Sequence, residues 1–192
     1  MTRLVLGSTS RYRAELLRRL TADFEQRAPG TDETLRPGET PAEGVLRLAA
    51  AKADAAAQGL PDALVIGSDQ IAELDGRALG KPGSAEAARV QLAACAGREV
   101  CFHTALCLLD TRDGRRRTHV DVTRVWFRPL SGEEIARYVE RERPLDCAGS
   151  FKCEGLGIAL FERIENSDPT ALVGLPLIAL ARLLREAGLA LP

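Results

Sequence analysis

Apolar positions along this chain fall into two rhythms. At Ala63-Leu64-Val65-Ile66 four apolar residues run together without alternation, the pattern of a strand covered on both faces. Gly67 ends the run and Ser68-Asp69-Gln70 follows, so the pattern puts a carboxylate and an amide at the carboxyl end of a buried strand, where α/β sheets hold ligands. Arg3-Leu4-Val5-Leu6-Gly7 reads as a first strand, followed by Ser8-Thr9-Ser10 and an amphipathic helix over 11–20 with Leu16, Leu17 and Leu20 inward. A second strand is expected over 24–28. The helical rhythm returns over 40–58, opened by a capping box in Thr40-Pro41-Ala42-Glu43, with Val45, Leu48, Ala49, Lys52 and Ala56 on one stripe. Asp75-Gly76 predicts a tight hairpin between 71–74 and 77–79. Ser84 opens a helix to 94. Two long strands over 99–109 and 118–127 flank Asp113-Gly114 as an antiparallel hairpin. Ser131-Gly132-Glu133-Glu134 opens a helix to 142 by another capping box. Residues 158–161 read as a last strand, and 176–187 as a Leu-rich helix stopped by Gly188. Strands interleaved with helices make this an α/β chain.

Composition narrows the class. The 192 residues suit one domain, or one with a sizeable lobe. With 45% hydrophobic but only 4% aromatic residues, the core is expected to be filled by Leu, Val, Ile and Ala. A net charge of −1 argues against a nucleic-acid or membrane surface. The N-terminal residues lead straight into a strand pattern and no apolar run approaches the ~20 residues of a membrane span, so the expected location is the cytoplasm. Five cysteines, with no Cys-x-x-Cys pair, argue against a disulfide framework or a zinc site. Cys101 and Cys107 share a strand face as packing residues. Two histidines, His103 and His119, both in strands, give thin support to a Cys–His dyad.

Three places carry candidate chemistry. Strand, hydroxylic turn and helix start at 3–13 form an anion site, with Ser8 and Ser10 as donors and Arg11 and Arg13 as charge; Ser10 as a plain N-cap with solvated arginines is the competing account. There is no Gly-rich phosphate loop of the Walker or dinucleotide kind. Only three of the 26 basic residues are lysines, Lys52, Lys81 and Lys152, which suggests positions where a compact ammonium is required; for Lys52 a snorkelling role competes equally. Asp32-Glu33, in a loop over 29–39, gains chemical meaning only if the loop folds back on Asp69, where carboxylates together hold a hard divalent cation. The segment from Asp146 to Gly157 is too glycine-punctuated for a helix. It suits a loop around a ligand, in which Glu154 accepts N–H groups from a base edge, or a loop built only for tight turns. Arg115, Arg116 and Arg117 are given no role.

Taken together, Ser8-Thr9-Ser10 with Arg13, Asp32-Glu33, Lys52, Gly67-Ser68-Asp69-Gln70, Gly80-Lys81-Pro82 and the loop from Ser150 to Gly157 resemble the Maf-like nucleoside triphosphate pyrophosphatases, over essentially the whole chain and in order. The Gly-Ser-Asp-Gln and Ala-Gly-Ser-Phe-Lys-x-Glu-Gly forms resemble the subgroup acting on 7-methyl-GTP, not the one acting on dTTP and UTP. One departure is Ala14, where the family shows a second arginine; Arg11 is the candidate to supply that charge. The resemblance implies a single domain over 1–192, a mixed twisted sheet with flanking helices, and two lobes around a cleft like that of inosine triphosphate pyrophosphatases. It implies hydrolysis between the α and β phosphates with a divalent metal, Mg²⁺ or Mn²⁺, and a homodimer. Asp69 would be the proton acceptor, with Glu33 assisting and both tentative metal ligands. Ser8, Ser10, Arg13, Lys52 and Lys81 would hold the phosphates, and Tyr12, Gln70 and Glu154 would set specificity. An aspartate of ordinary pKa, about 4, is a weak base, and it serves if burial raises its pKa or a metal lowers that of the water. N7-methylguanine is cationic, so Tyr12 beneath it would add a cation–π contact; covering the first helical turn is its alternative role. The rival functions are the same chemistry on dTTP, UTP or another non-standard nucleotide, and a non-hydrolytic nucleotide-binding regulator of septum formation.

Overall fold

The computed structural model describes residues 3–192. Seven strands and five α-helices alternate: β1 (Arg3–Gly7), α1 (Arg11–Leu17), β2 (Glu25–Arg27), α2 (Pro41–Ala57), β3 (Ala63–Leu74), β4 (Arg77–Leu79), α3 (Ala85–Cys95), β5 (Glu99–Asp110), β6 (Arg116–Phe127), α4 (Gly132–Glu142), β7 (Phe161–Glu165) and α5 (Leu177–Glu186). The strand order is β2-β1-β3-β5-β6-β7, with β4 paired to β3. β1 pairs in parallel with β2 and β3, and the β3–β4 and β6–β7 pairs are antiparallel, so the sheet is mixed. The chain divides into two compact units, residues 1–69, 104–121 and 168–192 in the first, and 70–103 and 122–167 in the second.

In the first unit, alternation along the strands decides what each face meets. Leu4 and Leu6 of β1, Leu64 and Ile66 of β3, and Leu106 and Leu108 of β5 point to one side. There they form a continuous core with Leu16 and Leu17 of α1 and Leu180, Leu183 and Leu184 of α5. Gly7 and Gly67, paired in register, point to the other side and lie directly under α2. A Cβ at Gly7 would fall 2.8 Å from the Ala56 Cβ, and one at Gly67 would collide with the Ala49 carbonyl oxygen and the Ala53 backbone nitrogen. These glycines let the helix approach the sheet backbone.

This explains the main departure from the sequence reading. Gly67 does not end the strand; β3 continues for 12 residues to Leu74, and Ser68-Asp69-Gln70 lies within it. What ends at this level is β1, whose last paired residue, Gly7, faces Gly67. Asp69 therefore sits just past the carboxyl end of the neighbouring strand, on the α2 side of the sheet.

The second unit is packed differently. Four phenylalanines, Phe102, Phe127, Phe151 and Phe161, interlock edge to face with ring centroids 4.8–5.8 Å apart. Scarce aromatics are thus concentrated in one place, and the expectation of a purely aliphatic core holds for the first unit only. Asp75 and Gly76 both adopt positive φ in the hairpin between β3 and β4, as expected. The expected strand over 158–161 is instead a 3₁₀ turn, Leu156–Leu160, and β7 begins at Phe161. Helix α1 stops at Leu17, short of 20.

Candidate active site

On α2, Lys52 occupies the inner stripe among Leu48, Ala49, Ala53 and Ala56, and only 4% of it is exposed. Its stem is packed, and its ammonium emerges where Gly67 gives way to Asp69. Lys52 Nζ lies 2.6 Å from Asp69 Oδ1 and 2.6 Å from Glu33 Oε1. The two carboxylate oxygens are therefore no farther apart than twice that distance. Asp69 is buried, whereas half of the Glu33 side chain is open to solvent. One buried cation thus joins the strand to a surface loop, and the loop carrying Asp32-Glu33 does fold back on Asp69. Asp32 itself accepts hydrogen bonds from the Thr34 hydroxyl and backbone N–H, which hold its carboxyl below the usual range.

The loop is fastened by residues that sequence reasoning missed. Arg47 of α2 donates to both carboxylate oxygens of Glu39, at 2.6 and 2.7 Å, and to the Thr34 carbonyl at 3.1 Å. Glu39 also accepts from the Arg36 backbone N–H. The bidentate Arg47 contact, with that backbone bond, pulls the Glu39 pKa down to about 2. Arg47 lies five positions before Lys52 on α2, a spacing that gave no signal of its own.

The turn between β1 and α1 supplies the other cation. Ser10 is the N-cap of α1, accepting from Arg13 N, and Ser8 Oγ accepts from Ser10 N at 3.1 Å. Gln26 of β2 pins the turn by donating to the Ser8 carbonyl at 2.7 Å. Arg13 Nε donates to the Gly174 carbonyl at 2.8 Å. Burial lowers the Arg13 pKa from its usual value, and the negative charges of Asp69 and Glu33 oppose that shift. A guanidinium keeps its proton in either case. Gly174, at φ 119°, also accepts from the Ser68 hydroxyl at 3.0 Å, which is 2.8 Å from the Ala105 carbonyl as well. The segment leading to it is braced by the buried Asp168, which accepts from the Thr170 N–H and hydroxyl and from the Ile178 N–H at the start of α5. Neither Asp168 nor Gly174 was singled out from the sequence; the Gly174-Leu175-Pro176 punctuation was the available hint.

Tyr12 is half-buried beside this turn, with the Arg11 guanidinium 4.8 Å from its ring centroid and Arg11 donating to its hydroxyl at 3.0 Å. Ala14, 1% exposed, belongs to the core, so an arginine side chain has no room to stay inside at that position. The structure thus brings together Ser8, Ser10, Arg13, Glu33, Lys52 and Asp69 in the first unit.

Gln70, Lys81 and Glu154 belong to the second unit. Gln70 is half-buried in β3 and Lys81 is exposed in the loop before α3. That loop is anchored by the Gly83 N–H donating to the Leu145 carbonyl at 3.0 Å and by Gln91 Nε2 donating to the Gly80 carbonyl at 3.0 Å. Glu154 is exposed on the segment between two 3₁₀ turns. Lys152, in contrast, points to the end of α4 and donates to the Glu142 and Arg143 carbonyls at 3.1 and 3.4 Å. Burial pushes the Cys147 and Cys153 thiols up to about 12, which leaves them poor nucleophiles.

Two carboxylates around one ammonium, with an arginine beside them, form an arrangement that can accept a proton from water and bind anionic oxygen. Among the described residues no group of three or more His, Cys, Asp or Glu could hold a metal ion by itself. Asp69 and Glu33 nonetheless fit a hard divalent ion of the kind held by one or two carboxylates together with substrate phosphates.

Known proteins match this chain over nearly its whole length. The chain is 58% identical to a 7-methyl-GTP pyrophosphatase of Xanthomonas campestris pv. campestris (strain 8004) over the full length of both chains. It is 57% identical to a protein of the same name from Burkholderia thailandensis, covering 98% of this chain and 89% of that one. The Ham1 protein of Staphylococcus aureus has the same mixed α/β fold, with a TM-score of 0.52 at 17% identity over 96% of this chain and 99% of that one. The family model described as Maf-like protein matches residues 3–187, and the chain belongs to that family.

Proposed function

We propose that this protein is a nucleoside triphosphate pyrophosphatase that hydrolyses 7-methyl-GTP to 7-methyl-GMP and pyrophosphate. The observation that carries the reading is Lys52, buried and within 2.6 Å of both Asp69 and Glu33, next to Arg13. The name shared by relatives 57–58% identical supports the substrate.

In this reading Arg13, Lys52 and Lys81 hold the triphosphate, with Ser8 and Ser10 lining its path. Lys52 trades a carboxylate contact for a phosphate oxygen, so its ammonium serves the substrate and keeps Asp69 aligned. Asp69 accepts the proton of the attacking water as the water oxygen bonds to phosphorus and the α–β bridging P–O bond breaks; the electron pair leaves with pyrophosphate. Arg13 meets charge as it builds on the phosphate oxygens, which matters most in a site with little water. Glu33 orients the water. Asp69 and Glu33 would hold a divalent metal, which supplies charge neutralisation of the phosphates and a more acidic water. No cysteine takes part.

Tyr12, Gln70 and Glu154 choose the base. Methylated guanine is planar and cationic, like the guanidinium already lying over the Tyr12 ring, so the same aromatic face suits it. Glu154, exposed and acidic, suits the N1–H and amino group of guanine, and its charge favours a cationic base. The test is pyrophosphate release with Mg²⁺ from 7-methyl-GTP, GTP, dTTP, UTP and CTP. Fast release from 7-methyl-GTP alone is expected. Release mainly from dTTP and UTP would keep the chemistry and overturn the base assignment, whereas no release from any of them would overturn both.

A further inference from the structure

We propose that Tyr138 and Glu142 of α4 are positioning residues that set base selectivity by fixing the presentation of Glu154. The proposal rests on the base-reading role given to Glu154 above.

The segment carrying Glu154 is clamped on both sides by the last turns of one helix. On the near side, the Lys152 backbone N–H donates to the Tyr138 hydroxyl at 3.0 Å, and the Lys152 ammonium donates to the Glu142 carbonyl at 3.1 Å. On the far side, the Leu156 N–H donates to Glu142 Oε2 at 2.9 Å. Between the clamps lie only Cys153, Glu154 and Gly155, and the span is closed on itself by the Gly155 and Gly157 N–H groups, which donate to the Lys152 carbonyl at 3.2 and 3.1 Å.

The glycines fit this purpose. A Cβ at Gly157 would collide with the Lys152 carbonyl, and one at Gly155 would fall 2.8 Å from Glu142 Oε1, so neither clamp would close around a larger residue. Tyr138 is only 3% exposed, and burial raises its hydroxyl pKa, so it stays a neutral phenol. Lys152 also finds its explanation here. Its positive charge lies at the carboxyl end of α4, where the helix dipole is negative, and it is an anchor of the loop instead of a ligand for phosphate. Glu154 is thus the acidic tip of a short arch whose two feet stand on α4. Its carboxylate is exposed while the backbone beneath it is held. A side chain on such an arch discriminates between bases only if the arch is held in one position, because the geometry of a carboxylate against a base edge tolerates little displacement.

The experiment is a double-mutant cycle read as the ratio of kcat/KM for 7-methyl-GTP to that for GTP. Tyr138→Phe keeps the ring and removes only the acceptor. We expect it to lower the ratio about fivefold, mainly through the KM for 7-methyl-GTP and with little change in kcat, in the wild-type background, and to leave the ratio unchanged in a Glu154→Ala background. Glu142→Ala should behave in the same way, and Glu142→Gln, which retains an acceptor for the Leu156 N–H, should restore selectivity. Equal losses in both backgrounds, or no loss in either while Glu154→Ala does lower the ratio, would overturn the positioning role. An unchanged ratio in Glu154→Ala alone would instead overturn the base-reading role on which the proposal rests.

Discussion

Replacing Asp69 by asparagine removes one of the two charges that face Lys52 and leaves the other in place at Glu33. The side chain keeps its size in a buried position, and the cations proposed to hold the phosphates remain, so the variant should bind substrate. An amide cannot take the proton from water. We therefore expect Asp69→Asn to lower kcat by about 10²–10⁴-fold with nucleotide binding within a few-fold of wild type, measured by single-turnover hydrolysis alongside equilibrium binding; near-normal turnover would remove Asp69 from the chemistry. Tyr12 makes a different kind of prediction. Its ring is half-buried and already takes a guanidinium on one face. Losing a cation–π contact of about 0.5–2 kcal/mol corresponds to about 2- to 30-fold in affinity. Tyr12→Ala should accordingly raise the KM for 7-methyl-GTP by that factor and raise the KM for GTP less, because unmethylated guanine is neutral. Equal increases for both substrates would show that the ring only covers the first turn of α1.

Helix α2 and strand β3 form the pair of elements that makes the carboxylate–lysine arrangement possible. Their contact runs through Gly67, whose missing side chain is replaced by the backbone of Ala49 and Ala53. Because the obstacle is backbone, nothing nearby moves out of the way at small cost. Gly67→Ala should destabilise the protein by about 1–3 kcal/mol or more and displace Lys52 from Asp69, which a lower melting temperature and a lower kcat would report together. Wild-type stability in this variant would mean that the helix sits less closely than described. The same contact shows which elements were legible in the sequence. The start of α2 was, because Thr40, Pro41 and Glu43 act on one another locally and their capping box is formed as written. The reach of β3 was not, because a glycine beside polar residues has the same appearance whether it ends a strand or admits a helix, and only packing from a distant segment decides. The strand expected over 158–161 gives way to a 3₁₀ turn for a related reason: Ile158 is 55% exposed, so its apolar character reflects no core face.

Across the whole chain, the residues proposed to carry chemistry were readable from their types, and those that hold them in place were not. Lys52 stands out as a lone lysine among alanines, Asp69 as a carboxylate at the end of an apolar run, and Glu33 as half of an acidic pair in a loop. Arg47, Glu39 and Asp168 are ordinary charges until the fold pairs them, as Glu39 is with Arg47. Those paired carboxylates make stability depend on pH in a definite direction. The Glu39 pKa is drawn down to about 2 by Arg47, and that of Glu134 to about 2 first by the Ser131 backbone N–H at the start of α4 and then by Arg128, both from a usual 4.5. Each carboxylate binds its proton more weakly when folded than when unfolded. Its contribution is therefore complete above the unfolded value and disappears as the pH falls through the folded one. The melting temperature should hold steady above pH about 5 and fall between about 5 and about 2. In Glu39→Gln and Glu134→Gln the charge is absent at every pH, so each variant should melt below wild type near neutrality, and the difference should close as the wild-type carboxylate is protonated. Melting curves recorded across that range decide the matter: convergence at low pH assigns the acid sensitivity to these two residues, whereas curves that stay parallel would place it elsewhere.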